Sequence, residues 1–131
     1  MKAVYADTSA LVKLVVEEPE TAGLQSWLAE SDHVFVAGDL VRTELMRAVR
    51  RVVPDRVRAA REVLDGLAML QVRSSVFEEA GRLDPIGLRS LDAIHLASAF
   101  SLGDDLEALL TYDERLAVAA ESHGIAVVAP G

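Results

Sequence analysis

Cysteine is absent from the 131-residue chain. That excludes disulfide staples, thiolate zinc sites and cysteine nucleophiles, and it fits a reducing compartment. Lysine is scarce as well, with only Lys2 and Lys13. Aromatic residues make up 5% of the chain, and Trp27 is the single tryptophan. That is too little for a surface of stacked bases, so Trp27 and its neighbour Leu28 are read as core or partner surface. No apolar stretch approaches the roughly 20 residues that cross a bilayer, and segments such as Leu11–Val16 are core-sized. The N-terminus does not read as a signal peptide, because Asp7 interrupts the early apolar run. A cytoplasmic protein with no membrane partner is the expectation.

What is present fits one compact domain over residues 1–131, with 51% hydrophobic residues able to bury a core. The net charge of −8 argues against a general polyanion binder. The charge is uneven, however. Arg42, Arg47, Arg50, Arg51, Arg56, Arg58 and Arg61 face only Glu44 and Asp55 in the same stretch. This stretch reads either as a solvated helical face or as a patch, centred on Arg42, Arg47, Arg50 and Arg51, for RNA phosphates or an acidic partner. Arginine suits bidentate contacts of that kind better than lysine.

Short strands and helices alternate. Ala3–Ala6 reads as a strand, Ser9–Glu17 as a helix, and Pro19 opens a second helix to about Glu30. His33–Ala37 reads as a strand, and Asp39 caps a helix whose stripe runs through Leu40, Val41, Leu45, Ala48, Val49 and Val52. Pro54-Asp55 starts the next helix, to about Leu70, with a short strand at Gln71–Arg73. Ser75 and Glu78 have capping-box spacing for a helix to about Leu83, and Pro85-Ile86-Gly87 is a loop. Ser90 caps a helix to about Leu102, ahead of Gly103. Leu106–Tyr112 is a strand, Asp113–His123 a helix stopped by Gly124, and Ile125–Ala129 a last strand. The pattern predicts an α/β fold: a mainly parallel sheet with helices on both faces.

Four acids stand out on that scaffold. Asp7 and Asp113 each follow a strand, where ligands bind in open α/β sheets; each also reads as a helix cap or first-turn acid. Asp92 has the same alternative, two residues after Ser90. Glu44 sits on the apolar stripe, where an ionised side chain needs a partner, either a nearby arginine or a pocket. Carboxylates gathered in one pocket need cations, and hard oxygen donors favour Mg²⁺ or Mn²⁺. Such ions activate water and stabilise a leaving oxygen in phosphodiester cleavage. Thr8, Ser9 and Thr111 flank the strand-end aspartates, either as partners of the site or as capping and strand-pairing hydroxyls. His95, three residues after Asp92, reads as a ligand or base or as a packed histidine of the core or a dimer interface.

These residues carry a resemblance. Tyr5-Ala6-Asp7-Thr8-Ser9-Ala10-Leu11-Val12-Lys13-Leu14 resembles the opening of PIN-domain proteins. Glu44 matches their second acidic position, Leu88–Ala97 their third motif and Thr111–Leu116 their fourth. The match runs from residue 3 to 130 and is nearest to the VapC group, the toxins of toxin–antitoxin pairs. The resemblance implies a sheet of about five strands and an Mg²⁺- or Mn²⁺-dependent endoribonuclease leaving 5′-phosphate and 3′-hydroxyl ends. It implies Asp7 and Asp92 as metal ligands and Asp113 as a further one. Glu44 would hold a metal water or help activate the nucleophile, Ser9 or Thr8 would steady the first carboxylate, and Thr111 the fourth. A VapB-like antitoxin and a homodimer, or a heteromer with the antitoxin, are the implied partners. Where some relatives carry an extra acid, this chain has Arg115, beside Glu114.

Two other readings remain at this level. One is a different acid-pocket phosphoryl enzyme. A haloacid-dehalogenase-type phosphatase wants a second aspartate where Ser9 stands, and a phospho-receiver wants a late lysine that the chain lacks. The other is a PIN-like module acting only through protein contacts, which the complete acidic quartet disfavours.

Overall fold

The structure, a computed structural model, describes residues 2–131. Its centre is a five-stranded, all-parallel sheet. The strands are β1 (Ala3–Ala6), β2 (Val34–Gly38), β3 (Ala68–Leu70), β4 (Leu106–Leu110) and β5 (Val127–Val128), in spatial order β3-β2-β1-β4-β5. Seven α-helices connect them: α1 (Thr8–Lys13), α2 (Thr21–Glu30), α3 (Val41–Val52), α4 (Val57–Asp65), α5 (Ser74–Arg82), α6 (Ser90–Phe100) and α7 (Glu114–Ser122).

Strand alternation decides which helix covers which face. Val4, Ala6, Ala37 and Leu110 point into a core built with Ala10 and Leu11 of α1, Leu24 of α2, Val41, Leu45 and Val49 of α3, and Ala60 and Leu64 of α4. Tyr5 and Leu109 point the other way, against Leu96 and Ala99 of α6 and Leu116, Ala119 and Ala120 of α7. Ala80 of α5 packs on Ala93 and Ala97, so α5 leans on α6. β1 is buried at every position, as a central parallel strand covered on both faces must be. The chain winds outward from β1 through β2 to β3, then crosses back to β4 on the other side of β1. The order therefore reverses between β1 and β4, where doubly wound sheets open a crevice beyond their carboxyl ends.

The fold class expected from the sequence is the one observed, and several boundaries differ for physical reasons. The first helix stops at Lys13 rather than Glu17 because the Thr21 hydroxyl takes the Lys13 carbonyl at 2.7 Å. The same hydroxyl accepts the Glu18 N–H, so the second helix opens at Thr21 and not at Pro19. The helix expected to run to Leu70 ends at Asp65, with Gly66 at its C-cap. Ala68–Leu70 is then a strand, pairing with Val36–Gly38, and Gln71–Arg73 is not. A short apolar run does not distinguish helix from strand, and pairing with β2 decides it. Asp39 and Ser75 cap nothing: Asp39 instead accepts the Val72 N–H at 3.3 Å, and Ser75 lies inside α5. Ser90 is the first residue of α6 rather than its cap. Gly124, with φ +82°, ends α7 as expected.

Candidate active site

Asp7 directly follows β1 and is only 4% exposed. Its Oδ1 accepts a 2.7 Å hydrogen bond from the Ser9 hydroxyl. Ser9 Oγ also accepts the Tyr112 N–H at 2.9 Å and lies 3.2 Å from Thr111 Oγ1. The segment after β1 is thereby tied to the segment after β4. Burial is the main reason that the Asp7 carboxyl is pushed up to about 6; the Ser9 and Thr111 hydroxyls and His95 oppose the rise, and Asp113 adds to it.

Asp113 is the N-cap of α7. Its Oδ1 accepts the Arg115 and Leu116 N–H groups at 2.9 and 3.1 Å. The capping geometry is real, and the same charge also acts on Asp7 and Asp92. Asp92 lies half-buried in the first turn of α6. Burial, then Asp113 and Glu44, raise its carboxyl above the ordinary range, against His95 and Arg89. These mutual influences place Asp7, Asp92, Asp113 and Glu44 in one electrostatic neighbourhood.

Glu44 projects from the first turn of α3. Its partner is not an arginine. His95 Nε2 lies 2.6 Å from Glu44 Oε1, and the Thr8 hydroxyl donates to the same oxygen at 2.9 Å. Partial burial raises the Glu44 carboxyl, and His95 and Thr8 more than offset it, leaving it below its usual range. His95 is 2% exposed and its Nδ1 stands 2.8 Å from the Tyr5 hydroxyl. Of the readings open to His95, the packed one describes it: the ring is buried, with Nδ1 facing Tyr5 and Nε2 facing Glu44.

The supporting hydroxyls follow the expectation at Asp7 and depart from it at Asp113. Ser9 steadies Asp7, and Thr8 serves Glu44. Thr111 accepts the Asp113 backbone N–H at 3.1 Å and approaches Ser9, rather than holding the Asp113 carboxylate. The sequence pattern does not single out Tyr5 as a site residue. A tyrosine in a buried central strand needs a partner for its hydroxyl, and that need was the available signal.

The donor set suits a hard divalent cation: carboxylate oxygens, no sulfur, and raised aspartates whose shared negative charge a cation would relieve. Among the described residues no three histidine, aspartate or glutamate side chains converge as a ready-made cage. Mg²⁺ does not demand one, since it is usually held through one or two carboxylates with retained water. Beside Asp92 a cleft of about 390 Å³ opens between Pro85, Leu88, Arg89, Arg115 and Val118.

Arg42, Arg47, Arg50 and Arg51 are all exposed on α3. Among the described residues none of the four enters an ion pair. Arg47, Arg50 and Arg51 line a shallow depression of about 260 Å³. By helical spacing Arg47 and Arg51 follow Glu44 along one side of α3, whereas Arg42 lies nearly opposite.

The PIN-domain family model matches residues 4–122. Ribonuclease VapC46 of Mycobacterium tuberculosis is 46% identical over 130 residues, covering 99% of each chain. Ribonuclease VapC47 of the same species is 42% identical, covering 98% of this chain and 97% of the relative. Among solved structures, the sarcin–ricin-loop-cleaving toxin VapC20 of M. tuberculosis superposes with a TM-score of 0.79 at 18% identity, covering 97% of this chain and 99% of its own. A toxin–antitoxin complex from Klebsiella pneumoniae superposes at 0.74 with 19% identity, covering 98% of both chains.

Proposed function

Because the chain belongs to the PIN-domain family and, within it, to the VapC group, we propose that it is an Mg²⁺- or Mn²⁺-dependent endoribonuclease. We further propose that it acts as the toxin of a toxin–antitoxin pair, as one PIN domain over residues 1–131. The observation that carries the reading is Asp7: a buried carboxylate at the β1–β4 crevice, raised to about 6, sharing its neighbourhood with Asp92, Asp113 and Glu44. A buried acid under like-charge pressure costs stability, which favours a functional role for it.

In this reading Asp7 and Asp92 hold the metal, and Asp113 contributes the carboxylate oxygen not used to cap α7. Once bound, the divalent ion would supply charge neutralisation at the phosphate and acidify the attacking water. Ser9 keeps the Asp7 carboxylate in one orientation, and Thr8 and His95 do the same for Glu44. Glu44 orients the water and receives its proton. The new bond is from water oxygen to phosphorus; the bond to the 3′ oxygen breaks and that oxygen takes a proton from solvent, to which Glu44 returns the one it received, leaving 5′-phosphate and 3′-hydroxyl ends. Arg47, Arg50 and Arg51 offer phosphate or antitoxin contacts, with Arg42 on the other side of the helix.

The relatives are named ribonucleases, and the solved neighbours include VapB–VapC complexes. We extend from them a VapB-like antitoxin partner and assembly as a homodimer or with that antitoxin. Among the described residues no helix is long and apolar enough to cross a membrane, and the cytoplasm is the proposed location. The test is RNA cleavage by purified, antitoxin-free protein. Asp7→Asn and Asp92→Asn are each expected to abolish cleavage and growth arrest while the protein stays folded. A folded Asp7→Asn or Asp92→Asn protein that still cuts would remove that residue from the metal site.

A further inference from the structure

A buried chain of hydrogen bonds runs from β2 to the acidic site through two residues outside the quartet, Tyr5 and His95. The Gly38 N–H donates to the Tyr5 hydroxyl oxygen at 2.9 Å. Tyr5 Oη stands 2.8 Å from His95 Nδ1, and His95 Nε2 stands 2.6 Å from Glu44 Oε1. Tyr5 is fully buried and His95 nearly so, with their rings edge-on at 66° and 5.8 Å between centroids. We propose that His95 is a positioning residue for Glu44, its ring held by Tyr5 so that Nε2–H always points at Oε1. The catalytic consequence rests on the ribonuclease reading; the hydrogen-bond relay does not.

The proton logic is constrained at each link. A backbone N–H only donates, so the Tyr5 oxygen is an acceptor towards Gly38; its own proton is left for His95 Nδ1 or for the neighbouring Ser98 hydroxyl, and the Glu44 carboxylate, which favours an Nε2–H facing it, selects His95 Nδ1. Burial pushes the phenol well above its ordinary range, so it remains a hydroxyl. If His95 is neutral, Tyr5 O–H donates to Nδ1 and the ring proton sits on Nε2, facing the carboxylate. If His95 is charged, both nitrogens carry protons and Nε2–H still faces the carboxylate. The one arrangement that the chain disfavours is the neutral Nδ1–H ring, which would set an Nε2 lone pair against Glu44. Thr8 donates to the same Oε1. With two donors on Oε1, the carboxylate is pinned and Oε2 is the oxygen turned to the water.

Gly38 belongs to the same device. A Cβ there would come within 2.8 Å of Tyr5 Oη and 3.4 Å of Ser98 Oγ. The close approach of β2 that glycine permits is what lets its N–H reach the tyrosine.

The experiment uses the full chain freed of antitoxin. Side chains that orient the groups of a metal site through a hydrogen bond are typically worth about 10–100-fold. His95→Leu should lower kcat on an RNA substrate at least tenfold, leaving KM within about threefold. His95→Gln, whose amide can donate in the place of Nε2, should recover much of that loss. Tyr5→Phe should fall between them. Ring nitrogen NMR of the metal-free wild type, assigned against His95→Gln, should show a proton on His95 Nε2. Wild-type kcat in His95→Leu, a loss confined to KM, or equal activity in the Gln and Leu variants would overturn the positioning role. A neutral Nδ1–H ring would overturn the relay itself, even if His95→Leu fails to fold. An inactive wild type would instead count against the ribonuclease reading, while the NMR result still decides the relay.

Discussion

At Asp7, burial and charge work against stability. The carboxyl is 4% exposed and is raised to about 6 by burial, with Asp113 pushing the same way. A carboxyl whose folded value lies above its unfolded one near 3.9 binds its proton better in the folded state. Stability from this group is therefore intact below about pH 4, falls as pH rises towards 6, and stays reduced above. The loss at neutral pH is on the order of 3 kcal/mol. Asp7→Asn keeps the acceptor for Ser9 and removes the charge. In metal-free guanidinium unfolding at pH 7.5 it should be more stable than wild type, by roughly 1–3 kcal/mol, with the gap closing near pH 4. A variant less stable at pH 7.5 contradicts this. Glu44 was conspicuous in the sequence because it interrupts an apolar stripe, but its partner was not legible. His95 lies 51 positions away, on a helix that covers the opposite face of the sheet from α3. Tyr5 was silent for the same reason: a pattern of apolar strand residues says nothing of where a hydroxyl points.

Among elements, α7 shows a single residue in two roles. Asp113 was readable both as a helix cap and as a site acid, and the geometry gives it the cap while its charge reaches Asp7 and Asp92. Two substitutions separate these roles. Asparagine caps about as well as aspartate, so Asp113→Asn should leave the urea midpoint nearly unchanged and still lower cleavage at least tenfold. Asp113→Ala should also lose about 1 kcal/mol of stability. Equal unfolding midpoints for the two variants would remove the capping role. Local chemistry was legible in the element pattern at Asp113 and at Gly124 with its φ of +82°, but not at Asp39, Ser75 or Ser90, which do not cap the helices they precede or open. The pattern also failed where tertiary contacts decide. Ala68–Leu70 continued an apolar helical run until β2 recruited it as a strand, and the Thr21 hydroxyl ended α1 from eight residues away.

For the whole molecule, a net charge of −8 sits beside an arginine-rich helix whose exposed guanidinium groups lack ion-pair partners among the described residues. Charge reversal at Arg50 and Arg51 together should weaken RNA or antitoxin binding and flatten the dependence of log affinity on log salt by about one per lost phosphate contact. Titrations at several salt concentrations check this, and unchanged binding of both partners returns the stretch to a solvated face. The order reversal between β1 and β4 sets Asp7 and Asp113 side by side; strand–helix alternation was enough to put both at one end of the sheet, but not to give the strand order. The central claim is that the acidic crevice works through a divalent cation. The most direct measurement is RNA cleavage by antitoxin-free protein with Mg²⁺ or Mn²⁺, then with excess EDTA, then with the metal restored. Cleavage that stops with EDTA and returns with metal is the predicted result; cleavage that continues in EDTA contradicts the account.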